Sequence, residues 1–301
     1  MAFGNLTIDA ALVQSYRSNI EIQFQQKGSR LRNTVENETQ KAEFDFYDRI
    51  GPVEAVKVNT RHGDTPLIET PYDRRRIALE DYDWADLIDK KDKIRMLADP
   101  TSSYVQNAVY ALGRAQDRSI IAAATGTAFT GKTGSTQVTF PAASDVAVNY
   151  VEAGTATNSN LTIGKLRRVR FLLTSKEAID EESDEEITAV VSASQIQSLL
   201  RTTEVTSADY NTVRALADGK IDTYMGFRFK RTELLVVTSN IRECLFYPKS
   251  GIKLASGSDI TVEVDRLPGK RYSVQVYVCG SFGSSRMWEE KVIRVKCDET
   301  V

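Results

Sequence analysis

The sequence predicts an α+β protein assembled from extended pieces, and three observations lead there. Helical stripes and alternating strands are mixed up to about residue 260, and beyond that point the chain reads as all β. Several elements are too long and too thinly apolar to be covered by one compact monomer. No cluster of residues supports catalysis, so what remains to explain is shape.

Composition narrows the classes. The chain has 301 residues, 41% of them apolar, and 17 glycines, which is enough to build a core and too much for a disordered chain. Lys and Arg total 39 against 41 Asp and Glu, a net charge of −2, so nucleic acid is not held by bulk positive charge. No apolar run approaches the roughly 18 residues of a membrane span. The start, Met1-Ala2-Phe3-Gly4-Asn5, has no basic region followed by an apolar core. Three widely spaced cysteines (Cys244, Cys279, Cys297) suit reduced thiols, and the single histidine, His62, removes most metal and acid–base centres.

Taken in order, Leu12, Val13, Tyr16, Ile20 and Phe24 form a helical stripe between a cap at Thr7 and a stop at Gly28. Residues 33–45 are polar and read as an extended arm. Alternation at Val53 and, weakly, Ala55, then at Val56 and Val58, turn chemistry over Arg61–Pro66 and a resumed strand at Leu67-Ile68 predict a long two-stranded loop that carries the chain past Arg74-Arg75-Arg76 to Trp84. Asp99-Pro100-Thr101 starts a long helix that ends near Thr125-Gly126, and a short strand is expected around Val138–Phe140. A second helix runs from about Leu161 to Leu173, and the acidic run Glu177–Glu186 marks a boundary. Ile187–Val191 reads as a buried strand, and helices are expected over Ser194–Thr202 and Ser207–Ala217, the second closed by Gly219. Strands follow at Ile221–Tyr224, Phe227–Phe229, Leu234–Val237, Leu245–Tyr247 and Ile260–Val264. Pro268-Gly269 turns the chain into Tyr272–Val278, and Ser281–Ser284 is expected to turn it again toward Val292–Val295.

Each chemical motif has a plainer reading. Gly126-Thr127-Ala128-Phe129-Thr130-Gly131-Lys132-Thr133 fits the phosphate-loop pattern, which needs a strand before it and a helix after it. Here a helix precedes and a strand-like stretch follows, so a glycine-rich surface loop is preferred to a nucleotide site at Lys132. His62 beside Asp64 reads as a turn, and Asp180–Glu186 as a solvated linker without the glycine of a calcium loop. Arg74–Arg76 and the Arg167, Arg168 and Arg170 group read as partners for carboxylates of a neighbouring chain rather than for phosphates. No catalytic residue, metal ligand or cofactor-binding residue is assigned, and the chain is read as a non-enzyme. Extended elements of this kind bury their apolar stripes against other copies.

Three stretches carry a resemblance. They are Gly63-Asp64-Thr65-Pro66 through Arg74–Arg76 to Asp81-Tyr82-Asp83-Trp84-Ala85-Asp86; Asp99-Pro100 with Ala111-Leu112-Gly113-Arg114 and Asp117; and Ser194-Gln195 to Leu200, Ala208-Asp209-Tyr210, Asp218–Ile221 and Gly226-Phe227. In these the sequence resembles the major capsid proteins of tailed bacteriophages, whose fold also forms encapsulin shells and the herpesvirus capsid floor. The resemblance implies an N-terminal arm over 1–40, an extended loop over 41–95, a peripheral domain with a spine helix over 96–186, an axial domain over 187–260 and closing peripheral strands over 261–301. It implies pentamers and hexamers of this one chain, an icosahedral shell around double-stranded DNA held by non-specific contact, and a place in the virion after assembly in the host cytoplasm. A portal is an implied partner, cement proteins are an optional addition, and no membrane is involved. A long N-terminal scaffolding segment has no room here, so a separate scaffolding protein is expected. Some relatives weld subunits between a loop lysine and a late asparagine; Lys57 could serve, but no asparagine follows Asn240, so no weld is expected. The alternatives are an encapsulin-like compartment and, in a different class, a nucleotide hydrolase using Lys132.

Overall fold

A computed structural model describes residues 25–57, 59, 61, 65, 67–88, 101–152, 154–179, 185–201 and 223–300. The stripe at Leu12–Phe24, the His62–Asp64 turn, the Asp99-Pro100 helix start and the expected helix at Ser207–Ala217 lie outside the described residues.

Three sheets and three helices make up the described fold. The largest sheet orders β7 (Asp145–Val146), β15 (Ile293–Asp298), β12 (Ile241–Pro248), β8 (Ile187–Val191), β10 (Phe227–Arg231) and β9 (Thr223–Tyr224), with β11 (Val237–Thr238) paired to β12. Strand β8 is buried along its whole length because it lies between β10 and β12, which explains its unbroken apolar run. Helix α2 (Ile163–Ser175) buries Ile163, Leu166, Val169, Leu172 and Leu173 on one stripe, and Thr162 caps it by accepting the Lys165 N–H. Together with α3 (Ala193–Arg201) these elements form the main core, in which the rings of Phe227 and Phe246 meet edge to face at 5.4 Å. Cys244 and Cys297 are buried free thiols in that core. A hydrogen bond between them, with burial, pushes Cys244 well above its ordinary value.

A second sheet orders β1 (Glu36–Thr39), β13 (Ile252–Leu267), β14 (Ser273–Arg286) and β4 (Glu80–Ile88). Its outer end packs Ile88, Val276 and Val278 against Ala108 and Leu112 of α1 (Thr101–Thr125). The other half of α1 sends Ile120, Ile121 and Ala124 into the main core, so this one helix joins the two apolar clusters. The third sheet orders β2 (Phe44–Ile50), β3 (Tyr72–Ala78), β5 (Ala128–Thr130) and β6 (Thr136–Val138).

The structure moves several expected strands. Residues 51–57 and 67–71 are not strands; the pairing lies on either side of them, in β2 and β3. Gly51 donates its N–H to the Pro71 carbonyl and closes the ladder there, and Pro52 has no N–H with which to extend it. Charge complementarity, with Asp48 opposite Arg74 and Arg49 opposite Asp73, makes strands of residues that show no apolar alternation. The arm over 33–45 is likewise more structured than its polarity suggests, since Val35 is fully buried and β1 runs parallel to β13. The strand expected at Leu234–Val237 shrinks to β11, and the one at Val138–Phe140 shifts to β6.

The expected turn at Ser281–Ser284 does not exist; those residues continue β14, and the long hairpin is β13–β14 about Pro268-Gly269. The cause is a close crossing. A Cβ on Gly283 would stand 1.9 Å from the Ala78 carbonyl oxygen, and neighbouring Phe282 stacks on Tyr82 at 4.4 Å. Gly283→Ala is therefore expected to cost about 1–3 kcal/mol by forcing β14 off the β3–β4 junction. Urea unfolding of the purified chain checks this, and an unchanged midpoint would refute the crossing.

Candidate assembly surface

With no catalytic cluster in the sequence, the candidate site is a surface. The β2–β3 hairpin projects an exposed apolar set: Phe44, Ile50, Val53, Val56, Ile68 and Tyr72, with Leu67 at 96% exposure. Exposed apolar side chains gathered along one hairpin mark a contact surface for another molecule. The hairpin is held to the rest of the chain at its root, through β5 and through one charged cluster.

That cluster places three guanidinium groups around Glu289. Arg75 Nη2 donates to Glu289 Oε1 at 2.5 Å, Arg49 Nη1 lies 3.4 Å from Oε2, and Arg286 Nε lies 4.0 Å from Oε1. Arg49 also pairs with Asp73, whose second oxygen accepts from Thr130 Oγ1 at 2.5 Å. Burial pushes the Asp73 carboxyl up, but the hydrogen bonds from Thr130 and Arg49 outweigh it and hold it down at about 2. Burial pushes both Arg75 and Arg286 down, with Glu289 opposing.

The arginine triplet thus has a different role from the one its sequence implies. Arg74 pairs with Asp48 of its own chain at 2.8 Å, Arg75 is fully buried, and Arg76 lies between the rings of Phe44 and Phe129. These side chains are engaged within their own chain and build the hairpin root. The second group is also engaged within the chain. Arg167 pairs with Glu152 at 3.1 Å, and Arg168 lies over Tyr150 and Phe171.

The segment before β1 is the other feature of this surface. Residues 25–31 lie on α1 and converge on Asp117, whose side chain is fully buried. Its carboxylate accepts from Ser29 Oγ at 2.6 Å, from the Arg30 and Leu31 N–H groups at 3.0 and 3.1 Å, and from Gln26 Nε2. Gly113 makes this approach possible, since a Cβ there would stand 2.6 Å from the Ser29 nitrogen. Sequence reading gave Asp117 no role. The signal available was an acid on the inward face of an apolar helix stripe, which needs donors from another segment.

Of the remaining motifs, His62–Asp64 and Asp180–Asp184 lie outside the described residues. Gly126–Thr133 spans the end of α1, strand β5 and the turn into β6, with Lys132 exposed, so no helix N-terminus faces the loop. Glu185 accepts the Ser250 N–H and Glu186 pairs with Arg228. Among the described residues no group of three or more His, Cys, Asp or Glu could hold a metal ion, and no helix is long and apolar enough to cross a membrane.

Comparison with known proteins bears on this architecture directly. The family described as phage capsid protein matches residues 8–299. No curated protein matches the sequence. Among solved structures, a chain from Mycobacterium phage Che8 is similar with a TM-score of 0.70 at 15% identity, covering 95% of this chain and 97% of its own. The capsid structure of cyanophage P-SCSP1u gives 0.72 at 14% identity, covering 95% and 93%. The acid-stable capsid of Helicobacter pylori bacteriophage KHP30 gives 0.71 at 10% identity, covering 99% of both chains. At these identities the structural likeness establishes a shared fold.

Proposed function

Since the chain belongs to the phage capsid protein family and is a structural protein of the virion capsid, we propose that its copies gather into pentamers and hexamers that close an icosahedral shell around double-stranded DNA. The observation that carries this reading is the match over residues 8–299, joined to a hairpin whose apolar set is exposed among the described residues. Residues 41–95 reach across an adjacent subunit and 1–40 form the arm. The regions 96–186 and 261–301 make a peripheral domain with α1 as its spine, and 187–260 make an axial domain around the symmetry axes. Strand β15, inserted between β7 and β12, would bind the axial region to the rest.

The mechanism is mechanical. A single contact of the size of one hairpin tip is weak, but each subunit repeats it around a closed ring and the contacts add through multivalency. Near-neutral charge suits a container: a basic lining would grip entering DNA and an acidic one would repel it. Assembly in the host cytoplasm with a separate scaffolding protein, and a portal at one vertex, complete the proposal. A protein-filled compartment and a nucleotide hydrolase are not favoured. The sequence match names a phage capsid, and the loop around Lys132 opens onto a strand.

Electron microscopy of the purified chain, alone and coexpressed with a scaffolding protein, tests this. Polyhedral particles or ring-shaped capsomers are expected, and a small oligomer that never assembles would refute it. On denaturing gels the particles should release single chains, because no asparagine follows Asn240 to receive a weld from Lys57. Covalent ladders would overturn that part.

A further inference from the structure

We propose that the arginine cluster at the hairpin root binds a small inorganic anion of halide size, seated against Arg75. Among the described residues, three guanidinium groups (Arg49, Arg75, Arg286) have only two carboxylates in ion-pair contact, Glu289 and Asp73, with Glu290 acting on Arg286 from farther off. The side chains of Arg75 and Arg286 are fully buried and that of Arg49 is 10% exposed. Arginine does not give up its proton in a protein, so its buried N–H groups call for acceptors.

The unmet donors point to Arg75. Arg49 Nε, Arg286 Nε, and both Nε and Nη1 of Arg75 are buried without a hydrogen-bond acceptor. Arg49 and Arg286 have other compensation: the first lies over the Trp288 ring at 5.0 Å. The second lies over Phe140 and donates to the Ala124 and Gly126 carbonyls at 2.9 and 3.0 Å. Arg75 spends only Nη2, on Glu289 and on the Met287 carbonyl. Its other two nitrogens have neither carboxylate nor carbonyl among the described residues. A buried charge with unmet donors is costly; the missing partner must accept N–H groups, and an anion does so while also meeting the guanidinium charge. Because Arg75 presents no surface, a monatomic ion suits the site better than a tetrahedral oxyanion or a neighbour's carboxylate. Such an ion would tie β2 and β3 to the connection between β14 and β15, a role independent of the shell reading.

The test compares thermal unfolding of the full-length chain in sodium bromide, sodium chloride and sodium glutamate at one ionic strength. A saturable rise in Tm with either halide, absent with glutamate, is expected. Arg75→Gln should abolish the difference. Should that variant fail to fold, Glu289→Gln keeps all three cations and removes a competing negative charge, and it should tighten halide binding at least about tenfold. Crystals grown in bromide should show an anomalous peak within hydrogen-bonding distance of Arg75. A Tm that follows ionic strength whatever the anion, an unchanged halide response in Glu289→Gln, or only water beside Arg75 would overturn the proposal.

Discussion

Replacing Asp117 by alanine is expected to lower the unfolding free energy by about 3–5 kcal/mol, since it removes the buried carboxylate on which residues 26–31 converge. The loss exceeds that of an ordinary hydrogen bond because the partners stay behind. The Arg30 and Leu31 N–H groups would remain against α1 with no acceptor, held there by the fully buried Leu31 side chain. Asp117→Asn should fall between wild type and alanine: every partner is a donor, so an amide offers one oxygen where two are needed. Urea unfolding of the purified chain measures both variants. A loss below about 1 kcal/mol in Asp117→Ala would show that the segment is held by packing alone.

Lys165→Met is expected to cost about 2–4 kcal/mol, again by stranding partners rather than by losing volume. Lys165 is fully buried on α2, and its ammonium donates to the carbonyls of Val148, Ser159, Asn160 and Lys296 at 2.7–3.2 Å. Burial pushes its pKa down, yet four acceptors and no donor around Nζ require the charged form. The side chain therefore fastens the loop through 148–160 to β15 from beneath. Methionine keeps the shape and removes the donors, so the 148–160 loop should lose amide-exchange protection ahead of β8. Equal protection in the two proteins would refute this role.

Both residues show how much of the surface could be read beforehand. The stripe Leu166, Val169, Leu172 and Leu173 announced α2 and its buried face, but Lys165 beside it carried the composition of a solvated position. The unbroken run Ile187–Val191 announced a strand covered on both sides, and β8 has those bounds. The hairpin was placed in the right part of the chain and on the wrong residues. Val53 and Val56 lie in the stretch expected as strand but are exposed, whereas β2 and β3 are paired by charges and by rings over Arg76.

The sequence alone determined the class of this protein. The stripe of α2 and its central buried strand follow from residue types at short spacing, where sterics and burial periodicity act locally, and the resemblance to phage capsids rests on the three stretches that carry it. Only the tertiary structure decided which charges are buried, that Arg75 lies in the root of the hairpin, that Asp117 receives the chain from residues 26–31, and that β14 runs through Ser281–Ser284. Those facts depend on partners 86 to 214 residues apart in the chain. The burial of Arg75 and Asp117 is recognisable only by the distant groups that compensate them, and no local pattern records that pairing.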